Sequence, residues 1–196
     1  MDLSYILNQL GEERENYFQA VSPPIMQSSN FTFKDISAMR NSLQDELNTP
    51  FYTRGCNPTV AILRKKVAAL EKAEDALILG SGSAANSAAV ISFVSAGDHI
   101  ICVDKPYSWT NKLLTNLLAR FGVESTFVDG TDPANYEKAI RSNTKLLFLE
   151  TPNSMTFEMQ DIEAVVKIAK KHNLITVLDN SYASPIFQNP IEMGID

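Results

Sequence analysis

Apolar residues recur along this chain in two alternating rhythms. From Asn57 onward a stripe at helical spacing (Val60, Leu63, Val67, Leu70) gives way to short runs, ALIL, HIICV, VESTFV, KLLFLE and LITVLD, separated by further helical stripes such as Leu113, Leu114, Leu117, Leu118 and DIEAVVKIAKKH. Runs that are apolar on both faces predict buried strands, and their alternation with helices predicts a mostly parallel sheet covered by helices on both sides. The fold class is therefore α/β. Polar residues mark the boundaries: Asn57-Pro58 and Asp132-Pro133 place a cap before a first-turn proline, and Gly122 stands where a helix ending at Phe121 needs a left-handed residue. Residues 1–55 lack this rhythm. A short amphipathic piece (Leu3, Ile6, Leu7, Leu10), Pro23-Pro24 and a Ser/Asn/Phe stretch precede a helix predicted over Asp35–Leu47. Residues 1–55 thus read as an N-terminal arm and 56–196 as the sheet domain. NPIEMGID at the end reads as the lead-in to another strand, and the chain as the first part of something longer.

Composition narrows the classes. With 196 residues, 44% of them hydrophobic and 20% charged, the chain has the makeup of an ordinary soluble globular protein. Its 17 basic and 23 acidic residues leave a net charge of −6, no footprint for nucleic acid or an anionic membrane. No apolar run approaches the roughly 20 residues of a membrane helix, and acids occupy the positions where a signal peptide carries bases, so a cytoplasmic protein is expected. Cys56, Cys102, His99 and His172 offer neither a disulfide framework nor metal-ligand spacing. His99 opens a strand and His172 closes a helix; both read as structural.

Candidate chemistry gathers where strands end. GSGSAAN joins a strand to a helix, and its glycines at positions 80 and 82 let backbone N–H groups face outward at the helix start, where a phosphate belongs. Tyr52 and Arg54 lie two apart in a segment expected to be extended, so a hydroxyl and a guanidinium share one side and suit a phosphate. Tyr107 follows strand IICVD, where a phenol ring can stack on a flat cofactor and its hydroxyl can move protons. Glu150-Thr151-Pro152-Asn153-Ser154 leaves the next strand with short polar groups. Asp179 ends ITVLD and suits a cationic ring nitrogen at the edge where open α/β sheets bind ligands. Each feature has an ordinary structural explanation, such as a turn cap for Asp179 or a solvated arginine beside a packed tyrosine. Their convergence on one rim favours a site. The rival reading is an NAD(P)-binding Rossmann oxidoreductase, since GSGSAA also fits G-x-G-x-x-A with Asp104 ending the next strand as the ribose acid. It leaves YTRGCNPT and DNSYASP idle. A non-catalytic, truncated association module is the third reading.

In order and spacing, YTRGCNPT, Ser81-Gly82-Ser83, Tyr107 and VLDNSY resemble the Cys/Met-metabolism enzymes of the cystathionine gamma-synthase type, a group that includes cystathionine lyases, methionine gamma-lyase and O-acylhomoserine sulfhydrylases. The resemblance implies the large domain of a type I transferase fold, pyridoxal 5′-phosphate as cofactor and a small amino-acid substrate. It further implies trans-sulfuration chemistry, β/γ-elimination or γ-replacement at a C–S bond. Tyr52 and Arg54 would bind the phosphate across a subunit boundary, making the protein a homo-oligomer, a dimer at least and a tetramer by expectation. Gly82 and Ser83 would contact the same phosphate, Asp179 the ring nitrogen, and Tyr107 would stack on the ring and act as the catalytic proton donor. Departures are visible too. ETPNSM replaces E-[ST]-P-x-N-P, which puts Ser154 at the asparagine beside the cofactor's phenolic oxygen, with Asn153 as the alternative through a shifted register. Ser108 replaces a glycine, with Trp109 close to the substrate side. The Schiff-base lysine, in S-x-T-K, and the substrate-carboxylate arginine are expected beyond Asp196, so residues 1–196 alone are expected to be inactive.

Overall fold

The computed structural model describes residues 1–196, which form two compact units, 1–78 and 79–196. The first unit is helix and turn. Helix α1 (Leu3–Asn8) is capped by the Asp2 carboxylate, α2 (Ile36–Ser42) by Asp35, and α3 (Pro58–Glu71) by Asn57, whose side chain accepts the Thr59 N–H at 2.9 Å. Helix α2 stops five residues short of the predicted Leu47. Beyond Ser42, turn bonds such as Gln44 N–H to the Asn41 carbonyl (3.0 Å) take over from the helical ladder. The segment around Tyr52 and Arg54 is also not extended. The N–H groups of Gly55 and Cys56 close on the Tyr52 carbonyl at 2.9 and 3.2 Å, and this turn brings the Arg54 guanidinium to 4.9 Å from the Tyr52 ring centroid. The two side chains do share one side, through a turn and a cation–π contact.

Residues 76–79, expected as a strand, form no ladder, and Leu77 is 70% exposed. Their apolar side chains suit a strand, but a strand exists only where a neighbour supplies its backbone groups.

The second unit is built on a four-stranded, wholly parallel sheet. In chain order come α4 (Gly82–Ile91), β1 (His99–Val103), α5 (Ser108–Lys112), β2 (Glu124–Val128), α6 (Ala134–Ala139), β3 (Thr144–Glu150), α7 (Ile162–His172), β4 (Ile175–Asp179) and α8 (Ser184–Phe187). Helix α5 runs on through a π turn and a 3-10 turn to Phe121, where Gly122 at φ +77° makes the predicted left-handed stop. The strands lie in the order β2-β1-β3-β4. The period of two sorts their side chains between two cores. Ile100 and Cys102 of β1 and Leu146 and Phe148 of β3 face Val90 of α4 and Leu113, Leu114 and Leu118 beyond α5. Ile101, Leu147 and Leu149 face Tyr136 of α6 and Val165 and Ala169 of α7. At the outer strand, the Asp196 carboxylate accepts the backbone N–H (3.0 Å) and hydroxyl (2.8 Å) of Thr176, tying residues 190–196 against β4.

His99 is fully buried at the start of β1, its ring nitrogens 2.8 Å from Thr144 Oγ1 and 2.9 Å from Thr126 Oγ1. Burial, and then the charge of Arg141, hold its pKa below the ordinary 6.5, with Glu124 opposing. The unfolded chain therefore takes up this proton first. The contribution is intact above the unfolded value and is lost as pH falls through the folded one. We expect the melting midpoint to drop as pH falls below the ordinary 6.5, and His99→Gln to flatten that slope in a pH series of thermal melts.

Candidate functional site

A helix start and three strand ends open onto one cleft of about 410 Å³ in the second unit. The start of α4 contributes Ser81, Gly82, Ser83 and Asn86, the loop after β1 contributes Tyr107, β3 and its loop contribute Glu150 and Ser154, and β4 and its loop contribute Asp179, Ser181 and Tyr182. The cleft lies where the chain path diverges, β1 leading to one edge of the sheet and β3 to the other, the place where open α/β sheets bind ligands.

One end of the cleft is electropositive. The Ser81 hydroxyl caps α4 by accepting the Ala84 N–H at 3.1 Å, and the helix ladder makes no use of the N–H groups of Gly82 and Ser83, its first two residues. A Cβ built on Gly82 meets no atom within 4 Å, so the approach to these amides is open. The helix dipole adds to their attraction for an anion.

Two carboxylates also line the cleft. Asp179 and Glu150 are paired neighbours in the register of β3 and β4. Asp179 Oδ2 accepts the Asn86 side-chain amide at 2.7 Å, and Oδ1 accepts the Ser181 N–H at 3.0 Å. Glu150, only 2% exposed, accepts the backbone N–H of Tyr107 at 2.7 Å and of Ser154 at 2.6 Å, and so ties together the loops that follow β1 and β3. Burial pushes the Glu150 carboxyl above its ordinary value; the two N–H donors oppose this, and the nearby charge of Asp179 adds to it. No lysine, arginine or histidine lines the cleft. Two carboxylates with only neutral donors favour a cationic group, while the helix start favours an anionic one. A flat molecule with a phosphate at one end and a protonated ring nitrogen at the other meets both demands. Pyridoxal phosphate fits this donor set, with the half-exposed Tyr107 ring at the rim to cover its face.

Gly82, Ser83, Tyr107, Ser154 and Asp179, all singled out in the sequence, therefore meet in one cleft. Tyr52 and Arg54 belong to the first unit, where they stack on one another. Ser154 and Asn153 face different clefts. Ser154 lines the cleft, whereas Asn153 is 1% exposed, accepts the Thr156 hydroxyl at 3.1 Å and lines a second, smaller cleft beside β1. Asp104 lines that second cleft as well, together with Asp129, so it does not join the GSGSAA turn as a ribose-binding acid would. Trp109 does not line the cleft: it is 55% exposed, with the Lys112 ammonium 4.6 Å from its ring centroid.

Asn86 and the role of Glu150 were missed in the sequence. Asn86 lies four residues after Gly82, on the same helix face, and that spacing was the available clue. For Glu150 the clue is an acid closing an otherwise apolar strand.

Comparison with known proteins points the same way. Residues 6–196 match the family model described as Cys/Met metabolism PLP-dependent enzyme. The chain is 39% identical over 184 residues to an L-methionine gamma-lyase of Treponema denticola, covering 93% of this chain and 46% of that one. It is 37% identical over 177 residues to a cystathionine beta-lyase of Bacillus subtilis, covering 90% and 43%. A crystal structure from Campylobacter jejuni, titled as an O-acetylhomoserine (thiol)-lyase and holding a pyridoxyl-lysine monophosphate, matches with a TM-score of 0.93 at 28% identity, over 100% of this chain and 48% of that one. The chain spans about half the length of the curated relatives it matches.

Proposed function

Because the chain belongs to the Cys/Met-metabolism family of PLP-dependent enzymes, we propose that its cleft holds pyridoxal phosphate and serves the making or breaking of a C–S bond in a small amino acid. Lyase and γ-replacement outcomes fall within the same proposal. The observation that carries it is the pairing, in one cleft, of an open helix start with the Asp179 carboxylate. The bound cofactor supplies an electron sink for the substrate's α-carbon. The protein's own groups do the rest. Gly82 and Ser83 hold the phosphate through backbone N–H groups, and Asp179 keeps the ring nitrogen protonated. Tyr107 covers the ring and gives a proton to the departing sulfur. Ser154 offers a hydroxyl toward the ring's phenolic oxygen, and Glu150 holds the Tyr107 and Ser154 loops in place by accepting both N–H groups.

A phosphate carries close to two negative charges, yet no cationic side chain lines the cleft. We assign the missing charge to Arg54, with Tyr52, contributed by a neighbouring copy in a dimer or in a tetramer built from dimers. The fully buried Cys102 and the buried Cys56 are both free thiols, which fits a reducing cytoplasm.

A fluorescence titration with pyridoxal phosphate and with NADH tests the cofactor. Saturable binding of the former alone is expected; binding of NADH alone overturns the proposal. Arg54→Ala is expected to weaken cofactor binding by about tenfold or more, the worth of one charge-assisted contact. Mixing the Arg54→Ala and Asp179→Ala variants of the full-length enzyme then tests the shared site. Subunit exchange creates one site with both native residues and restores part of the turnover, whereas self-contained sites restore none.

A further inference from the structure

Asn86 reaches across the cleft from α4 to a residue 93 positions later. Its Nδ2 donates to Asp179 Oδ2 at 2.7 Å and lies 3.3 Å from the hydroxyl of Thr110, itself buried in α5. A carboxylate only accepts, so the amide's orientation is fixed by chemistry. With Ser181 N–H on Oδ1, both oxygens of Asp179 are tied and the plane of the carboxylate is set. Asn86 also stands one helical turn beyond Gly82, about 6 Å along the axis. The rigid helix whose start offers amides to an anion therefore also holds the carboxylate meant for a cation.

We propose that Asn86 is a positioning residue that sets how the Asp179 carboxylate meets the cofactor's ring nitrogen, with Thr110 bracing it from behind. The inference rests on the cofactor reading given above. Asn86 acts through Asp179 and needs no contact of its own with the ligand. A purely structural tie between α4 and β4 has the same contacts, but it changes fold stability and leaves cofactor geometry alone.

The test uses the native protein and four variants: Asn86→Leu, Thr110→Val, Asp179→Ala and the Asn86→Leu/Asp179→Ala double. Three quantities are read: the pyridoxal phosphate dissociation constant, the visible circular dichroism of the bound cofactor, and the melting midpoint of the cofactor-free protein. Asn86→Leu is expected to raise the dissociation constant about tenfold, the loss of one hydrogen bond to a charged group, and to change the dichroism band with the cofactor-free midpoint nearly unmoved. Thr110→Val shifts binding and dichroism in the same direction by less, and it carries the test if Asn86→Leu does not fold. The double variant binds no more weakly than Asp179→Ala alone, because Asn86 has nothing left to position. Native binding and an unchanged band in Asn86→Leu, or losses that simply add in the double variant, overturn the inference while leaving the cofactor reading standing. Native binding by Asp179→Ala overturns the cofactor reading itself, and this inference falls with it.

Discussion

In the full-length enzyme, Asp179→Ala is expected to lower cofactor-dependent turnover by on the order of a hundredfold to a thousandfold, as removal of a preorganised electrostatic group does elsewhere. The residue closes β4, and its two oxygens are held by Asn86 and Ser181 in a cleft whose only other carboxylate is Glu150. Glu150 does not replace it, because its side chain is buried where it ties the Tyr107 and Ser154 loops together, whereas Asp179 is only partly buried. Asp179→Asn keeps the shape and most of the contacts but loses the charge, so a comparable loss is expected. Steady-state kinetics of both variants, with melts to show that each folds, separate the role of charge from that of contact. Turnover in the asparagine variant close to native would move the explanation from charge to packing.

The largest loss of stability is expected at Phe148. This side chain is fully buried in β3 between the α4 and α5 faces, in the core that also holds Ile100, Cys102 and Leu114. Phe148→Ala removes the ring and leaves a cavity, at a cost of about 3–5 kcal/mol. Against a typical total of about 5–15 kcal/mol, that leaves the protein marginal or unfolded at working temperature. Urea unfolding measures it directly. Phe187, 87% exposed on α8, provides the control: its truncation is expected to change stability by about 0.5 kcal/mol or less.

The sheet was legible because burial on two faces leaves an unmistakable mark. HIICV and KLLFLE are apolar at nearly every position, and these strands became β1 and β3 at the centre of the sheet. The start of α3 was equally plain, since Asn57 caps it as its place before Pro58 suggests, whereas α6 begins only at Ala134, with Pro133 rather than Asp132 at the cap position. ALIL misled because a strand is a relation between segments, and no run of residues states which neighbour it will pair with. YTRG misled in a different way. Side chains two apart suggest an extended segment, but the N–H groups of Gly55 and Cys56 folded it into a turn around the Tyr52 carbonyl.

The candidate site was half legible. Gly82, Ser83, Tyr107 and Asp179 announce themselves by sitting next to strand ends and helix starts. Asn86 does not, because its partner is distant in sequence and only the crossing of α4 over β4 brings them together. The question of Ser154 against Asn153 could not be answered from spacing. It depends on which of two adjacent side chains turns toward the cleft, and a change of one residue in register reverses the answer.

A crystal structure of the protein grown with pyridoxal phosphate is the most direct measurement. Phosphate oxygens should lie about 3 Å from the amide nitrogens of Gly82 and Ser83, with the ring nitrogen at hydrogen-bond distance from Asp179. Cofactor density in the Asp104 cleft, or a ring nitrogen turned to solvent while Asp179 remains bonded only to Asn86 and Ser181, would contradict the assignment.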